Sequence, residues 1–250
     1  MILAYIQNSE TSEKLLQSAL NLAKSLDKKP AVLCAPTVSD QEKQILAEKY
    51  ASEETMFFQE NVDIQSVAEF CEQKEVSFLF LQAMQYKRKA LQKLLNACRN
   101  LRIPYLIYRD DFEILKMDKV LVPVNFLEEE IEKAQFASAF GRFSNAEIIL
   151  LPANDYGSKA ATTTDKMKTI LDKFQLPYTV EKAQSDSFKI DREAIEKAVE
   201  MGGGLVIISA SRDYGLDDIL FGPKELHLIR KSPVPLLLVN PRSDLYALCD

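Results

Sequence analysis

The sequence contains a single histidine, His227, and this limits the catalytic and metal-binding sites that it can build. No cluster of histidine ligands can form, and a histidine-dependent triad would have to use that one residue. Cysteines are also few and scattered. None belongs to a Cys-x-x-Cys pair, a spacing that favours reduced thiols over a disulfide framework or a zinc site. The four cysteines are Cys34, Cys71, Cys98 and Cys249.

The sequence also lacks an excess of basic charge. It has 31 basic side chains against 37 acidic ones, a net charge of −6, which argues against a general binder of nucleic acid or of anionic membranes. A local anion site remains open. No apolar run approaches the roughly 20 residues of a membrane helix. The opening apolar run, residues 2–6, is too short and has no basic leader for a signal peptide. We therefore expect a cytoplasmic protein with neither nucleic-acid nor membrane partners.

What is present is an ordinary globular composition, 47% hydrophobic and 27% charged over 250 residues. That length allows one large domain or two of about 125 residues. An internal repeat favours two, because four apolar segments of the first half recur in the same order in the second. The matches are 2–7 with 120–125, 32–36 with 148–152, 78–82 with 205–209, and 103–108 with 234–239.

The segments between these apolar runs have helical periodicity. In the first of them Leu15, Leu16 and Ala19 begin an apolar face that continues to Leu26. The apolar runs are continuous rather than alternating, which is typical of parallel strands covered on both faces. The charged residues 109–111 mark a boundary between the halves. We therefore predict an α/β protein with two tandem domains, 1–112 and 118–242, each a five-stranded parallel sheet flanked by helices.

This tandem α/β repeat resembles the universal stress protein family, most clearly in its second half. Residues 119–125 are similar to the family's first strand, which usually ends in an aspartate, and 232–239 to its last. The resemblance covers nearly the whole chain, with the first half more divergent. It implies the adenine nucleotide alpha-hydrolase-like fold, with a pocket where strand ends meet helix starts. It also implies an intramolecular pseudo-dimer in which 103–108 pairs with 234–239, as single-unit members pair their last strands.

Nucleotide-binding members of that family hold the phosphates in a loop after strand four. The pattern is Gly, two residues, Gly, nine residues, Gly and then Ser or Thr, because glycines let N–H groups approach phosphate oxygens. In this sequence Ser209 and Arg212 stand at the first two glycine positions and Gly222 matches the third. Pro223 replaces the hydroxyl residue, and Asn125 replaces the aspartate that contacts the nucleotide.

The first half departs further from the pattern, since Gln7 occupies the aspartate position and residues 82–86 contain no glycine. We therefore predict a degenerate nucleotide pocket and no cofactor. The alternative is ATP or AMP in the second domain, and a small anion or a nucleoside beside Arg212 is also left open. The candidate nucleotide-binding residues are Pro123, Asn125, Ser209, Ser211, Arg212 and Gly222.

Other polar features have plainer interpretations. The basic residues Lys87, Arg88 and Lys89 are either an anion or acidic-partner contact or a solvated helix start. Residues 128–130, all glutamates, are expected to be a solvated first helical turn rather than a metal site. Residues 202–204, all glycines, precede a strand and therefore indicate a helix stop rather than a phosphate loop.

The expected function is that of a universal stress protein-like, non-enzymatic regulatory or interaction protein with a degenerate nucleotide pocket. The alternative is an ATP- or AMP-binding stress sensor that uses the second domain only. An enzyme is disfavoured, because the residues around His227 supply neither a nucleophile nor an orienting acid. The expected partner is a protein of unknown identity, and a homodimer is left open.

Overall fold

A computed structural model describes residues 1–51, 54–84, 87–211 and 223–241. The chain divides into two compact units. The first contains Met1–Leu115 together with residues 223–226, and the second contains residues 116–211 and 227–241. Separate domains at 1–112 and 118–242, and the pairing of 103–108 with 234–239, stay predictions.

The first unit is a layered α/β structure. Its strand order is β3-β2-β1-β4-β5, and its strand pairings are parallel. β1, β4 and β5 are buried along their whole length, as continuous apolar runs require. The strands are β1 (Ile2–Ile6), β2 (Pro30–Cys34), β3 (Met56–Phe58), β4 (Phe78–Ala83) and β5 (Tyr105–Arg109). The helices are α1 (Glu13–Ser25), α2 (Asp40–Lys49), α3 (Val67–Gln73) and α4 (Arg88–Cys98).

The second unit repeats this arrangement. Its strand order is β10-β9-β6-β7-β8, again with parallel pairings. The strands are β6 (Lys119–Val124), β7 (Glu147–Pro152), β8 (Tyr178–Val180), β9 (Leu205–Ser209) and β10 (Leu236–Val239). The helices are α5 (Ile131–Ser144), α6 (Lys159–Lys173) and α7 (Ile190–Lys197), and α8 (Lys224–Lys231) lies between β9 and β10 in the chain.

The predicted parallel α/β fold is confirmed, and all four repeated pairs of segments form strands. The prediction that Arg109 belongs to a charged boundary was wrong. Arg109 ends β5 and is only 6% exposed. It stacks on the ring of Phe112 at 4.2 Å and bonds to the Asp111 carboxylate at 2.9 Å. These two contacts explain how the charge is accommodated at the end of a buried strand.

Local signals fix several helix ends. α2 begins at a capping box, in which the Ser39 hydroxyl accepts from the Glu42 N–H and the Glu42 carboxylate accepts from the Ser39 N–H. The glycine run after α7 is a helix stop, as predicted. Gly202 has a φ of +70°, and a Cβ at Gly204 would collide with the main-chain oxygen of Lys116.

In each unit the strand order reverses direction once, between β1 and β4 and between β6 and β9. Such switch points leave a crevice at the carboxyl ends of the two strands, and this is where open α/β sheets bind ligands. The switch points therefore locate the two places to examine. Of the helices that the structure describes, none is both long and apolar enough to cross a membrane.

Candidate functional site

The second unit brings several predicted site residues to its switch point. Pro123 lies within β6 and Asn125 follows that strand directly, while Ser209 ends β9 and Ser211 lies two residues beyond. Because β6 and β9 are parallel neighbours, these residues lie at the same edge of the sheet. Asn125 and Ser209 are only 6% and 7% exposed. The remaining two candidates, Arg212 and Gly222, lie outside the described residues, so their part in phosphate binding stays a prediction.

The Asn125 side chain is already engaged by its own loop. Its Oδ1 accepts a hydrogen bond from the Leu127 N–H at 2.7 Å, and its main-chain N–H donates to Glu130 Oε2 at 3.4 Å. This is an Asx-type turn, which fixes the path of the chain between β6 and the next helix. The acceptor that a nucleotide would meet at this position is therefore used to hold the loop.

Beneath this loop lies a buried ion pair, Glu130 with Lys133. The two side chains are 1% and 0% exposed, and Lys133 also donates to the main-chain oxygen of Pro123. Within the described part of the chain, Glu130 Oε1 has no hydrogen-bond partner. The expectation of a wholly solvated turn at 128–130 was wrong for Glu130. The 3-10 turn Glu128–Glu130 directs it inward, where Lys133 one turn later offsets its charge.

Aromatic side chains cover the neighbouring part of the same edge. The Phe126 N–H donates to Ser187 Oγ at 3.0 Å, and the Ser187 N–H donates to Asp155 Oδ1 at 2.8 Å. The rings of Phe126 and Phe188 lie 5.8 Å apart in an edge-on arrangement. A cavity of about 360 Å³ does occur in this unit, but it lies between residues 152–157, α6 and β8, and none of the predicted site residues lines it.

In the first unit, the side chain of Gln82 spans the switch point. This residue is fully buried in β4. Its Oε1 accepts from the main-chain N–H groups of Gln7 at 2.8 Å and Asn8 at 2.9 Å, and its Nε2 donates to Asn8 and Thr11. Its Nε2 also approaches Asp110, whose pKa is raised by burial despite hydrogen bonds from Thr11 and Gln82. The first N–H groups beyond β1, the usual anion donors of this fold, are thus bound to a side chain.

Beside this network the first unit has a cavity of about 320 Å³ at the carboxyl ends of β1, β2 and β4. The sequence analysis singled out Gln7 and Gln82 only as departures from a family pattern, and did not predict a cavity there. A signal for it was available: both glutamines directly follow or end runs matched by the repeat, so both had to lie at one edge of the sheet.

The remaining candidate residues lie at exposed positions. Lys87 precedes α4 and Arg88 and Lys89 begin it, and all three are exposed. This is the geometry of a helix start, and whether these residues contact an anion or a partner stays a prediction. His227 is exposed on α8.

Three thiols, those of Cys34, Cys71 and Cys98, are buried and free. Burial raises the pKa of Cys34 to about 11 and that of Cys71 to about 12, and it raises the pKa of Cys98 further. Thiols in this state are structural rather than nucleophilic. Cys249 lies outside the described residues. Among those that are described, no group of three His, Cys, Asp or Glu side chains could hold a metal ion.

Comparison with known proteins gives a consistent picture at the level of the fold. No family model and no curated protein matches the sequence. Among solved structures, a universal stress protein from Archaeoglobus fulgidus DSM 4304 superposes with a TM-score of 0.68 at 15% identity, over 97% of each chain. A candidate universal stress protein from Pseudomonas aeruginosa UCBPP-PA14 gives 0.65 at 14% identity, over 98% of this chain and 94% of the other.

A third structure, of a functionally unknown protein from Pseudomonas aeruginosa PAO1, gives the same values as the second. At these identities the likeness concerns the fold alone. It extends over nearly the whole of this chain, and so includes both compact units. The chain therefore has the fold of the universal stress proteins.

Proposed function

We propose that the protein is a non-enzymatic regulatory or interaction protein of the universal stress protein type, whose nucleotide pocket has degenerated. One observation carries the proposal. At the switch point of the second unit, Asn125 bonds within its own loop, and Glu130 and Lys133 bond to each other and to the main chain. A bound nucleotide would have to displace these contacts, and each polar group left unpaired would cost free energy.

The loss of glycines supports the same proposal. Ser209, where the family pattern has a glycine, is 7% exposed, so its side chain occupies space in which the backbone of a binding loop would meet a phosphate. We propose no cofactor, and we propose the cytoplasm as the compartment. The proposed partner is a protein, presented with a pseudo-dimer in which 103–108 pairs with 234–239.

The second candidate function is an ATP- or AMP-binding stress sensor that uses the second unit only. It is favoured by the position of Asn125 and Ser209 at a shared switch point, where nucleotides bind in this class of fold. In this version Arg212 pairs with the phosphates and Gly222 allows their close approach.

Nucleotide content distinguishes the two. Freshly purified full-length protein is denatured, and the released small molecules are separated by anion-exchange chromatography. We expect no ATP or AMP, and no rise in melting temperature when either is added to the native protein. Stoichiometric nucleotide in the extract, or a dose-dependent rise in melting temperature, would instead establish the sensor.

A further inference from the structure

The cavity of the first unit lies at the β1–β4 switch point, the position where this fold class binds ligands. Its volume of about 320 Å³ matches the lower range of small-molecule sites. It belongs to one unit only, and it is separate from the second-unit residues on which the proposed function rests. The lining includes Tyr5, Gln7, Pro36, Ile64, Met84 and Leu94.

The walls of the cavity are mainly apolar. Ile64 and Leu94 are each 4% exposed and face it from the two sides, while Pro36 and Met84 line it nearer the solvent. The Tyr5 hydroxyl is engaged, because it donates to the Val62 main-chain oxygen at 3.0 Å. Burial raises the pKa of Tyr5 well above its ordinary value, so this group stays neutral. These walls suit the face of an aromatic ring.

The donors that would receive an anion are already bound. The N–H groups of Gln7 and Asn8 both donate to Gln82 Oε1, at 2.8 and 2.9 Å, and Gln82 is fully buried. A phosphate or carboxylate placed there would have to break both bonds and leave the buried Gln82 oxygen unpaired. The site therefore works against an anionic group.

The charges at the mouth balance one another. Lys93 on α4 and Asp63 before the 3-10 turn Ile64–Ser66 lie 3.7 Å apart, with side chains 54% and 58% exposed. The basic residues 87–89 are not among the residues that line the cavity. Neutral polar groups remain at the rim, namely the side chains of Gln7 and Thr37. One uncharged hydrogen-bonding group on a ligand would suffice to orient it there.

We propose that the first-unit cavity binds a small, uncharged aromatic molecule that carries a neutral hydrogen-bonding group such as a carboxamide, and that the Gln82 network makes it reject the corresponding anion. The aromatic ring lies between Ile64 and Leu94, and the neutral polar group faces Gln7 and Thr37.

Two probes of nearly equal shape test this: naphthalene-2-carboxamide and naphthalene-2-carboxylate. Each is titrated into the full chain and followed by saturation-transfer NMR. We expect the amide to bind with a dissociation constant below about 1 mM and the carboxylate to bind at least about tenfold more weakly. Ala90 is exposed on α4 and lines the cavity, so Ala90→Trp should fill the mouth and abolish amide binding. Asn96→Trp, exposed on the same helix outside the lining, is the matched control and should bind normally.

Gln82→Met removes the network's acceptor while retaining a side chain of similar length. It should narrow the difference between amide and carboxylate by freeing the two N–H groups, in samples whose melting curve shows a folded protein. The Trp variants test the site independently if this one does not fold. Absence of amide binding, equal binding of both probes, or amide binding that survives Ala90→Trp would each overturn the proposal. None of these outcomes depends on nucleotide binding by the second unit.

Discussion

Gln82 Oε1 lies 2.8 Å from the main-chain nitrogen of Gln7, and this bond joins the ends of β4 and β1 across the switch point of the first unit. Because Asn8 donates to the same oxygen at 2.9 Å, one buried side chain satisfies two donors of the loop after β1. The loop is thereby held by the protein itself rather than by a ligand.

Removing that side chain should destabilise the protein. We expect Gln82→Ala to lower the free energy of unfolding by about 1–3 kcal/mol, since two N–H groups lose their acceptor in a buried place. Urea unfolding followed by circular dichroism measures it. Gln41→Ala, at an exposed position of α2, is the control and should change the value by less than about 0.5 kcal/mol. A cost no greater than the control's would show that the loop does not need Gln82.

The Glu130–Lys133 pair gives a sharper test, because an exposed pair of the same spacing exists. Lys133→Met leaves a buried carboxylate uncompensated and should cost about 3–5 kcal/mol in urea unfolding. Lys168→Met removes the partner of Asp165 in α6, where the side chains are 34% and 71% exposed, and should cost about 0–1 kcal/mol.

The double variant Glu130→Leu with Lys133→Met completes the comparison. Because it removes both charges together, we expect it to recover much of the stability lost in Lys133→Met alone. Equal losses in Lys133→Met and Lys168→Met would contradict a buried pair beneath the β6 edge.

Glu193 should make stability depend on pH. Burial alone would raise its pKa, but hydrogen bonds from Gln184, Lys197 and Ser185 outweigh burial and bring the pKa to about 2. Since the folded-state pKa lies below the ordinary value of 4.5, the contribution is present above that value. It is lost as the pH falls toward the folded pKa.

We therefore expect Glu193→Gln to cost about 1.5–3 kcal/mol at neutral pH, the range for hydrogen bonds to a charged group. The difference from the unsubstituted protein should shrink as urea unfolding is repeated between pH 5 and pH 3. Glu200→Gln, at an exposed site beyond α7, is the control. A cost that stays constant across this pH range would show that the carboxylate charge is not what holds the loop.

The buried thiols should be unreactive in the native protein. In a Cys249→Ser background, Ellman's reagent at pH 8 reads only Cys34, Cys71 and Cys98. Because burial raises all three pKa values, few thiolates are present, and labelling should be more than about tenfold slower than in urea. Rapid labelling of one thiol without denaturant would show an exposed or activated cysteine.

Much of the fold could be predicted from the sequence, because the buried strands are apolar runs and the same runs occur twice. The short strands β3 and β8 gave no such signal. Met56 and Val180 are 41% and 42% exposed, since strands at the outer side of each unit pack on fewer neighbours. Arg109 carried a charge typical of a linker, and only its contacts with Asp111 and Phe112 explain its burial.

The candidate sites were harder to predict, because they depend on which side chains bond to each other. A glutamate run gives no hint that Glu130 alone turns inward toward Lys133. A glutamine at the end of β4 likewise does not reveal that it binds the loop after β1, which lies 74 and 75 residues away in sequence. The missing glycines indicated where a nucleotide would be disfavoured, but not where a cavity remains.

Titration calorimetry with ATP is the most direct test of the degenerate second-unit pocket, using the full chain and its Arg212→Ala variant. The account predicts no saturable heat at ATP concentrations up to about 1 mM for either protein. A micromolar dissociation constant that is lost on Arg212→Ala would contradict it.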